Sequence, residues 1–576
     1  MNLFKKNKVK TPWYGEYKTF GISKTLKYSE GSMYDAVKTA AEKYPYNIAY
    51  SYYGTLSTYK KFINDVDVCA KGFKEIGIKK GDVVTVCMPN TPEAIISVYA
   101  LNKIGVIANM THPLSSENEL KDFILESKSV AVVSIDLVWN KISHIVKENN
   151  VKAILLSVKD SMNLLTSFGF WLTKGRKLPK LEDIDNVLFW KDLMHKGKYS
   201  NVKTETSINK NDPAIILHSG GTTGNPKGII LSNYCFNAIV EQEKAVAKEV
   251  VAGRTLLSIM PIFHGFGLAT SIHLPLVTGA TCIMLPQVNP KKFADTIKKY
   301  RPNVIGGVPS LYESLISSKS LNNVDLSFLK CVICGGDLLL PNLKEKVDKF
   351  LKERGCNYEL RAAYGLTECT SGVTIIPNKG YVKDGIGIPC PDVFIKIVSP
   401  NSHIELPYNE IGEICISGPS VMLGYLDNPK ETAQMLQKHE DGKVWLHTGD
   451  LGVMDEKGYV YYKQRLKRMI ISSGYNVYPS YIEEIIERHP AVLSCTVVGI
   501  DHPHKVQVPK AFIVLKEGIT VTKKIKDEIK ALCKENIAEY SQPYDYEFRK
   551  TLPTTKLGKV AYTELMKEEK IKNAKK

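Results

Sequence analysis

The chain has 576 residues, of which 44% are hydrophobic and 24% charged. This length and composition predict a packed protein of more than one domain, and they exclude a disordered chain, a collagen-like helix and a coiled-coil rod. The net charge of +17 favours anionic partners such as nucleic acid, an acidic membrane surface or polyphosphates, and the lysine-rich ends (residues 5–10 and 570–576) are typical of frayed, solvated termini.

Short apolar segments alternate with helical ones between about residues 80 and 380. Proline in a first helical turn predicts helices that begin at Pro92, behind a Thr91 cap, and at Pro309 and Pro341. The alternation predicts parallel sheets covered by helices, with ligands bound at the carboxyl ends of the strands. The predicted strands are residues 82–88, 129–135, 152–158, 213–218, 303–308 and 330–336.

The pattern changes after about residue 390, where strands become shorter and helices fewer. A charged run at residues 464–468 marks a predicted domain boundary, and the material beyond it is typical of a small α+β domain. The predicted elements of this part are strands at residues 413–418, 459–463, 494–500 and 510–516 and helices at residues 480–489 and 523–536.

The twelve cysteines are too few for a disulfide scaffold. Cys331 and Cys334 form a lone CxxC inside an apolar run, which predicts buried strand cysteines rather than a metal or redox site. The chain start has no apolar core of signal-peptide length, and no stretch has the length and apolarity of a membrane span. We therefore expect a reducing, cytoplasmic compartment.

Residues 161–180 combine aromatic and basic side chains, among them Phe168, Phe170 and Trp171 beside Lys174 and Arg176. Such a segment is typical of a peripheral membrane contact. It is equally typical of a surface loop that packs on its own domain, and the sequence leaves both readings open.

The strongest local signal is HSGGTTGNPKG, from His218 to Gly228. Its glycines allow close backbone approach, and its exposed amides and hydroxyls predict an anion cradle with Lys227 as a mobile counter-charge. The loop differs from the P-loop of nucleotide kinases, since Asn225 and Pro226 separate Lys227 from the last preceding glycine.

This loop resembles the signature of the adenylate-forming enzymes, which include acyl- and aryl-CoA synthetases, and the closest resemblance is to fatty acyl-CoA ligases. Four more segments match in the family's order, and together they cover the chain from about residue 30 to 565. They are YGLTE (364–368), HTGD (447–450), the run 461–492 and LPTTKLGK (552–559).

The resemblance implies an α/β fold with a large N-terminal domain of parallel and mixed sheets covered by helices, a distorted β-barrel subdomain, and a small mobile α+β C-terminal domain. The implied boundaries are residues 1–466 for the adenylation domain and 467–576 for the mobile domain. The implied cofactors are ATP, Mg²⁺ and coenzyme A, and the implied state is a monomer or homodimer without nucleic acid.

The resemblance also implies roles for individual residues. Thr223 and Glu368 would hold Mg²⁺, and Lys559 would bridge the substrate carboxylate and the α-phosphate. The phosphates would be held by Ser219, Gly220, Gly221, Thr222, Thr223, Gly224 and Lys227, and the adenine and ribose by Gly335, Gly336, Tyr364, Gly365, Thr367, Asp450 and Arg465.

Lys467 matches the family's hinge, and Ser473, Gly474 and Tyr475 match the loop that borders the thiol tunnel. The predicted acyl pocket includes Phe263, His264 and Gly336. Asp337 stands where the family commonly has a small apolar residue. Cys235 stands where amino-acid-activating relatives often carry an acidic residue. We expect a medium- or long-chain fatty acid as substrate, with an aryl acid, or a carrier protein in place of coenzyme A, as alternatives.

Overall fold

The computed structural model describes residues 9–157, 186–218, 227–286, 289–380, 382, 384–472, 475–502, 506–554 and 560–574. Helices begin where the sequence predicts: the Thr91 hydroxyl accepts from the Ala94 amide, and Pro309 and Pro341 each open a helix. The helices are α1 (Tyr14–Phe20), α2 (Met33–Lys43), α3 (Tyr59–Glu75), α4 (Pro92–Lys103), α5 (Glu117–Glu126), α6 (Trp139–Glu148), α7 (Trp190–Tyr199), α8 (Asn233–Val246), α9 (Leu274–Thr278), α10 (Phe293–Tyr300), α11 (Pro309–Ser317), α12 (Pro341–Lys352), α13 (Pro429–Met435), α14 (Pro479–Glu487), α15 (Lys523–Asn536) and α16 (Tyr562–Ala574).

Every strand predicted from the apolar runs is present. In chain order the strands are β1 (Ile48–Tyr52), β2 (Thr55–Thr58), β3 (Val83–Cys87), β4 (Ile107–Met110), β5 (Ala131–Ile135), β6 (Lys152–Leu156), β7 (Val187–Phe189), β8 (Pro213–His218), β9 (Gly228–Ser232), β10 (Thr255–Ser258), β11 (Thr281–Met284), β12 (Val304–Gly307), β13 (Cys331–Cys334), β14 (Leu360–Gly365), β15 (Gly372–Ile375), β16 (Ile388–Pro389), β17 (Phe394–Val398), β18 (Gly412–Ser417), β19 (Gly424–Tyr425), β20 (Leu436–Lys438), β21 (Val444–Met454), β22 (Val460–Arg465), β23 (Ile470–Ser472), β24 (Tyr475–Val477), β25 (Val492–His502), β26 (Val506–Leu515) and β27 (Asp545–Arg549).

Two large sheets form the first part of the chain. One has the strand order β16-β15-β14-β13-β12-β10-β11-β1-β2, and its central strands from β14 to β1 run parallel. The other has the order β19-β9-β8-β4-β3-β5-β6-β7 and is parallel from β8 to β7. The predicted parallel sheets are therefore confirmed, and antiparallel strands occupy both edges of the first sheet and the β19 edge of the second, whereas β7 ends the second sheet as a parallel strand.

Two smaller sheets follow. An antiparallel sheet has the order β17-β18-β21-β20, with β22 paired to β21, and it stands where the resemblance implied the β-barrel subdomain. The last sheet has the order β24-β23-β26-β25, with β27 parallel to β26, and helices α14, α15 and α16 accompany it as the predicted α+β unit. The boundary between residues 466 and 467 stays a prediction, although β22 and β23 on its two sides belong to different sheets.

The cysteine prediction is confirmed, because all twelve cysteines are buried and free. Cys331 and Cys334 begin and end β13, a strand whose four residues are all buried. Burial also raises the pKa of the Cys331 thiol to about 11, so this thiol stays protonated and unreactive near neutral pH.

The prediction of frayed ends is wrong for Lys10 and Lys572, while Lys570 is exposed in α16. Lys10 forms an ion pair with Glu405 at 3.1 Å, and Lys572 lies in α16 and contacts Glu547 at 3.2 Å and Glu569 at 2.8 Å. Glu405 and Glu547 are distant in sequence from the lysines they pair with, whereas Glu569 lies one helical turn before Lys572. The segment 161–180 lies outside the described residues, and within the described chain no helix has the length and apolarity needed to cross a membrane.

Candidate active site

Three neighbouring parallel strands, β12, β13 and β14, end together at one edge of the first large sheet. Gly335 and Gly336 follow β13, while Tyr364 and Gly365 end β14. A Cβ atom at Gly365 would lie 1.8 Å from the Ser371 carbonyl oxygen, so only glycine fits there. Gly336 has a φ of +79°, which also favours glycine. Glycine is thus required at Gly365 by close packing against Ser371 and favoured at Gly336 by its backbone conformation.

The most buried acidic group at this edge is Asp450, in β21, whose residue is 1% exposed. Arg465 lies directly opposite it in β22 and forms an ion pair with it, with Nε 3.0 Å from Asp450 Oδ1. The Tyr364 hydroxyl donates to Asp450 Oδ2 at 2.7 Å. Burial and the Asp450 charge raise the pKa of Tyr364, so its hydroxyl stays a donor. The structure thus joins Tyr364, Asp450 and Arg465 in one polar cluster.

Glu368 lies in a short 3₁₀ turn, Thr367–Cys369, next to this cluster in sequence. The Tyr425 hydroxyl donates to Glu368 Oε1 at 3.0 Å. The turn is held by Thr370, which adopts a φ of +72° and donates its hydroxyl to the Ser420 carbonyl at 2.8 Å. The Glu368 carboxylate is half-buried, and such a carboxylate suits a hard cation such as Mg²⁺.

Lys227 is the described residue of the predicted phosphate loop. It forms an ion pair with Glu431, and its Nζ lies 5.3 Å from the centre of the Tyr425 ring. Tyr425 therefore stands between Lys227 and Glu368. The other loop residues predicted to hold phosphate lie outside the described residues: Ser219, Gly220, Gly221, Thr222, Thr223 and Gly224.

The two strands that carry this loop fix its ends. β8 and β9 pair antiparallel, with His218 opposite Gly228. His218 is buried and contacts Asn109 Oδ1 at 2.7 Å, and burial lowers its pKa to about 4, so this histidine is neutral and structural. On the other side the Leu426 amide donates to the Gly228 carbonyl at 2.7 Å. The residues on both sides of the loop are thus held in paired strands.

The predicted pocket wall lies beside the Glu368 turn. The buried Phe263 ring contacts His112, with ring centroids 4.3 Å apart, and His264, with centroids 5.0 Å apart. A Cβ atom at Gly265 would lie 1.7 Å from the Thr370 carbonyl oxygen. This close approach joins the wall to the turn that carries Glu368.

Sequence reasoning missed three residues near the site: Tyr425, Glu431 and Glu243. Glu243 is buried in α8, accepts from the Thr270 hydroxyl at 2.7 Å, and has its pKa raised to about 7 by burial. The sequence signal for Glu243 was an acidic residue inside a mostly buried helix. For Tyr425 and Glu431 the signal was the motif GYLDNP, whose Asn428 caps α13.

The predicted hinge residue, Lys467, is exposed in the turn Leu466–Arg468 that links β22 to β23. Its neighbour Arg468 forms an ion pair with Glu483 of α14. Tyr475 begins β24, whereas Lys559, Ser473 and Gly474 lie outside the described residues.

The described donor set fits a magnesium nucleotide. Asp450 offers a buried carboxylate for vicinal hydroxyls, Glu368 offers an oxygen ligand for Mg²⁺, and Lys227 offers a cation for phosphate.

Comparisons with known proteins agree on one family. A family model described as "AMP-binding enzyme" matches residues 37–426 of this chain, and a model described as "AMP-binding enzyme C-terminal domain" matches residues 481–559. The long-chain-fatty-acid–CoA ligase of Bacillus subtilis is 32% identical over 97% of this chain and 98% of its own length. The ligase of the same name from Haemophilus influenzae is 29% identical over 98% and 99%.

Solved structures share the fold. ATP-bound MatB from Rhodopseudomonas palustris matches with a TM-score of 0.81 and 23% identity over 94% of this chain and 99% of its own. The anthranilate CoA ligase AuaEII, in complex with anthranoyl-AMP, matches with a TM-score of 0.79 and 22% identity over 95% and 99%.

Proposed function

The chain belongs to the AMP-binding enzyme family, and from this premise we propose that it activates a medium- or long-chain fatty acid with ATP and transfers the acyl group to coenzyme A. The observation that carries the proposal is the near full-length similarity to proteins named long-chain-fatty-acid–CoA ligase. The described site supports it, because its carboxylates and lysine suit a magnesium nucleotide.

The first half-reaction makes a leaving group. A carboxylate does not acylate a thiol at neutral pH, since its oxygen leaves poorly. One carboxylate oxygen attacks the α-phosphorus of ATP, the bond to the β-phosphate oxygen breaks, and acyl-AMP and pyrophosphate result. Two anions must meet, so the site has to neutralise charge and align the reactants.

We assign the charge neutralisation to the loop residues 219–224, to Lys227 and to Lys559. Lys227 would exchange its partner Glu431 for phosphate when the nucleotide arrives. Lys559 would bridge the carboxylate and the α-phosphate. Mg²⁺, when bound, withdraws charge from the phosphates, and Thr223 and Glu368 would hold it.

The nucleoside would be held by the cluster at the strand ends. Tyr364 would stack on the adenine beside Gly335, Gly336 and Gly365, and Thr367 would line the same pocket. Asp450 would accept both ribose hydroxyls, and in doing so would exchange its bonds to the Tyr364 hydroxyl and to Arg465. Arg465, with a half-exposed side chain, is free to turn toward the nucleotide.

The second half-reaction needs a different geometry. The coenzyme A thiol loses its proton, its sulfur attacks the acyl carbonyl carbon, and AMP leaves. One pocket must exclude water in the first step and admit a bulky thiol in the second, so a part of it must move. We propose that rotation about Lys467 withdraws Lys559 and brings Ser473, Gly474 and Tyr475 to the thiol path, while Phe263, His264 and Gly336 line the acyl pocket.

The test is pyrophosphate release with ATP and Mg²⁺ across acids from acetate to oleate plus cinnamate, with and without coenzyme A. We expect release to peak with a medium- or long-chain fatty acid and to turn over only with coenzyme A. Release without coenzyme A dependence would point to a carrier-protein acceptor. Absence of release with any acid would refute the proposed activity.

An aryl acid is the second candidate substrate. The supporting observation is a protein from Dictyostelium discoideum named probable 4-coumarate–CoA ligase 1, which is 32% identical over 80% of this chain and 82% of its own length. Preference for cinnamate over every fatty acid in the same panel would establish this alternative.

A peripheral membrane contact through residues 161–180 remains part of the proposal, with the enzyme in the cytoplasm as a monomer or homodimer. Its support is the aromatic and basic composition of that segment. We expect the full chain to float with acidic liposomes, and the double variant Phe170→Ser, Trp171→Ser to lose this binding. Equal flotation of both proteins would refute the contact.

A further inference from the structure

Three histidines converge in the antiparallel sheet of β17, β18, β20, β21 and β22, away from the roles proposed above. His403 lies in the loop after β17, His439 follows β20, and His447 lies within β21. Each offers a ring nitrogen, and these nitrogens lie within 4.8 Å of one another. The Nε2 atoms of His439 and His447 are 2.9 Å apart, and the His403 ring stacks on His439 with centroids 3.9 Å apart.

Acceptor groups set the tautomers of the outer two rings. His447 Nδ1 lies 2.8 Å from Glu413 Oε2, and since a carboxylate only accepts, Nδ1 carries the proton and Nε2 the lone pair. His403 Nε2 lies 2.7 Å from Gln437 Oε1, an amide oxygen, so the lone pair of His403 is on Nδ1. A carboxylate or amide behind an imidazole is the usual second layer of a histidine-ligated metal.

The central ring, His439, has a hydrogen-bond partner at Nε2, which lies 2.9 Å from His447 Nε2. His439 is 5% exposed, and its Nδ1 has no hydrogen-bond partner among the described residues. The positive charge of Lys396 lies near this ring. Lys396 is itself paired with Asp441 at 3.3 Å, which leaves the Glu413 carboxylate to balance a bound cation.

We propose that His403, His439 and His447 form a Zn²⁺ site, with water as the fourth ligand on the side where His403 is exposed. Neutral imidazoles suit Zn²⁺, which they bind tetrahedrally at about 2.0–2.1 Å. That geometry sets two ligand nitrogens about 3.3 Å apart, so the nitrogens of His439 and His447 need only part slightly from 2.9 Å.

The site is coupled to the proposed ribose carboxylate. Glu413 accepts from His447 through Oε2 and from the Gly449 amide through Oε1 at 2.9 Å. Gly449 directly precedes Asp450, so a cation on His447 would hold the backbone that presents Asp450. Metal binding by these histidines does not depend on the proposed ligase activity.

The test is a titration of tag-free, chelator-treated full chain with Co²⁺, followed by displacement with Zn²⁺. Co²⁺ in a tetrahedral site absorbs visible light strongly, which reports binding and geometry without reference to activity. We expect one saturable Co²⁺ site per chain that Zn²⁺ empties. The variants His403→Gln and His439→Gln should each weaken binding by about 10- to 100-fold.

The matched control is His195→Gln, which changes an exposed histidine on α7 and should bind like the wild type. Thermal unfolding of every variant verifies the fold, and His403, being exposed, is the change least able to disturb it. Absence of saturable binding, or equal binding by wild type and His403→Gln, would overturn the proposal. Cys415 Sγ lies 3.5 Å from His447 Nδ1, so loss of binding in Cys415→Ser alone would place the metal on Glu413, Cys415 and His447 and refute the three-histidine site.

Discussion

Asp450→Asn tests the proposed nucleotide site most sharply. The Asp450 residue is 1% exposed, so water cannot replace the bonds that its carboxylate makes. The change keeps the shape and removes the charge, and with it the charge-assisted bonds to the ribose hydroxyls. A hydrogen bond to a charged group contributes about 1.5–3 kcal/mol. We therefore expect kcat/KM for ATP to fall roughly 10- to 140-fold, since about 1.4 kcal/mol corresponds to a factor of ten.

The assay is fatty-acid-dependent exchange of labelled pyrophosphate into ATP. Asp455→Asn is the matched control, because Asp455 lies at the turn of the same β21–β22 hairpin and accepts from the Tyr461 hydroxyl at 3.0 Å. The control should keep kcat/KM within about twofold of the wild type. An Asp450→Asn protein with wild-type thermal stability and kcat/KM within about threefold of the wild type would refute the ribose role.

Three further predictions concern the catalytic lysine, the hinge and a buried acid. Lys559→Ala should lower fatty-acid-dependent pyrophosphate exchange by roughly 10²- to 10³-fold, because a charge contact to the transition state is lost. The variant should still convert supplied acyl-AMP to acyl-CoA. Lys556→Ala is the control, and equal loss of exchange in both variants would contradict the assignment. Lys467→Pro should retain adenylation and lose thioester formation, because proline restricts the backbone dihedral about which the domain would turn; the control is Lys467→Ala, and survival of both half-reactions in the proline variant would show that the hinge lies elsewhere. The pKa of Glu243 is raised from 4.5 to about 7 by burial, so the folded state holds a proton that the unfolded state releases, and stability falls as pH rises through that window by up to roughly 3 kcal/mol. Glu243→Gln should remove this slope from thermal unfolding measured between pH 5 and 8, whereas Glu241→Gln on the same helix should keep it; parallel curves for wild type and Glu243→Gln would disprove the attribution.

Local patterns predicted the elements that local forces decide. The apolar runs form strands because each is short and apolar enough to be buried within a sheet. The four buried residues of β13 are an example. Helix α15 begins and ends at the predicted residues 523 and 536, since the Thr522 hydroxyl caps its first turn. The Gly-rich loop follows the predicted strand β8, whereas β9 on its other side was not predicted.

The site's contacts could not be predicted, because they join residues remote in sequence. Lys227 pairs with Glu431, 204 positions later, and Tyr364 bonds to Asp450, 86 positions later. Lys572 was expected in a frayed end, yet partners in β27 and α16 hold it. No local sequence pattern indicates such pairs. The strands and helices before residue 80 were also not predicted, because polar residues interrupt their apolar ones.

The measurement that tests the central claim most directly is the fate of the carboxylate oxygens. Palmitate labelled with oxygen-18 in its carboxylate is incubated with the enzyme, ATP, Mg²⁺ and coenzyme A, and AMP and acyl-CoA are analysed by mass spectrometry. Attack of the carboxylate on the α-phosphorus predicts one labelled oxygen in each AMP and the other in the thioester carbonyl. Acyl-CoA formed together with unlabelled AMP would contradict the acyl-adenylate route.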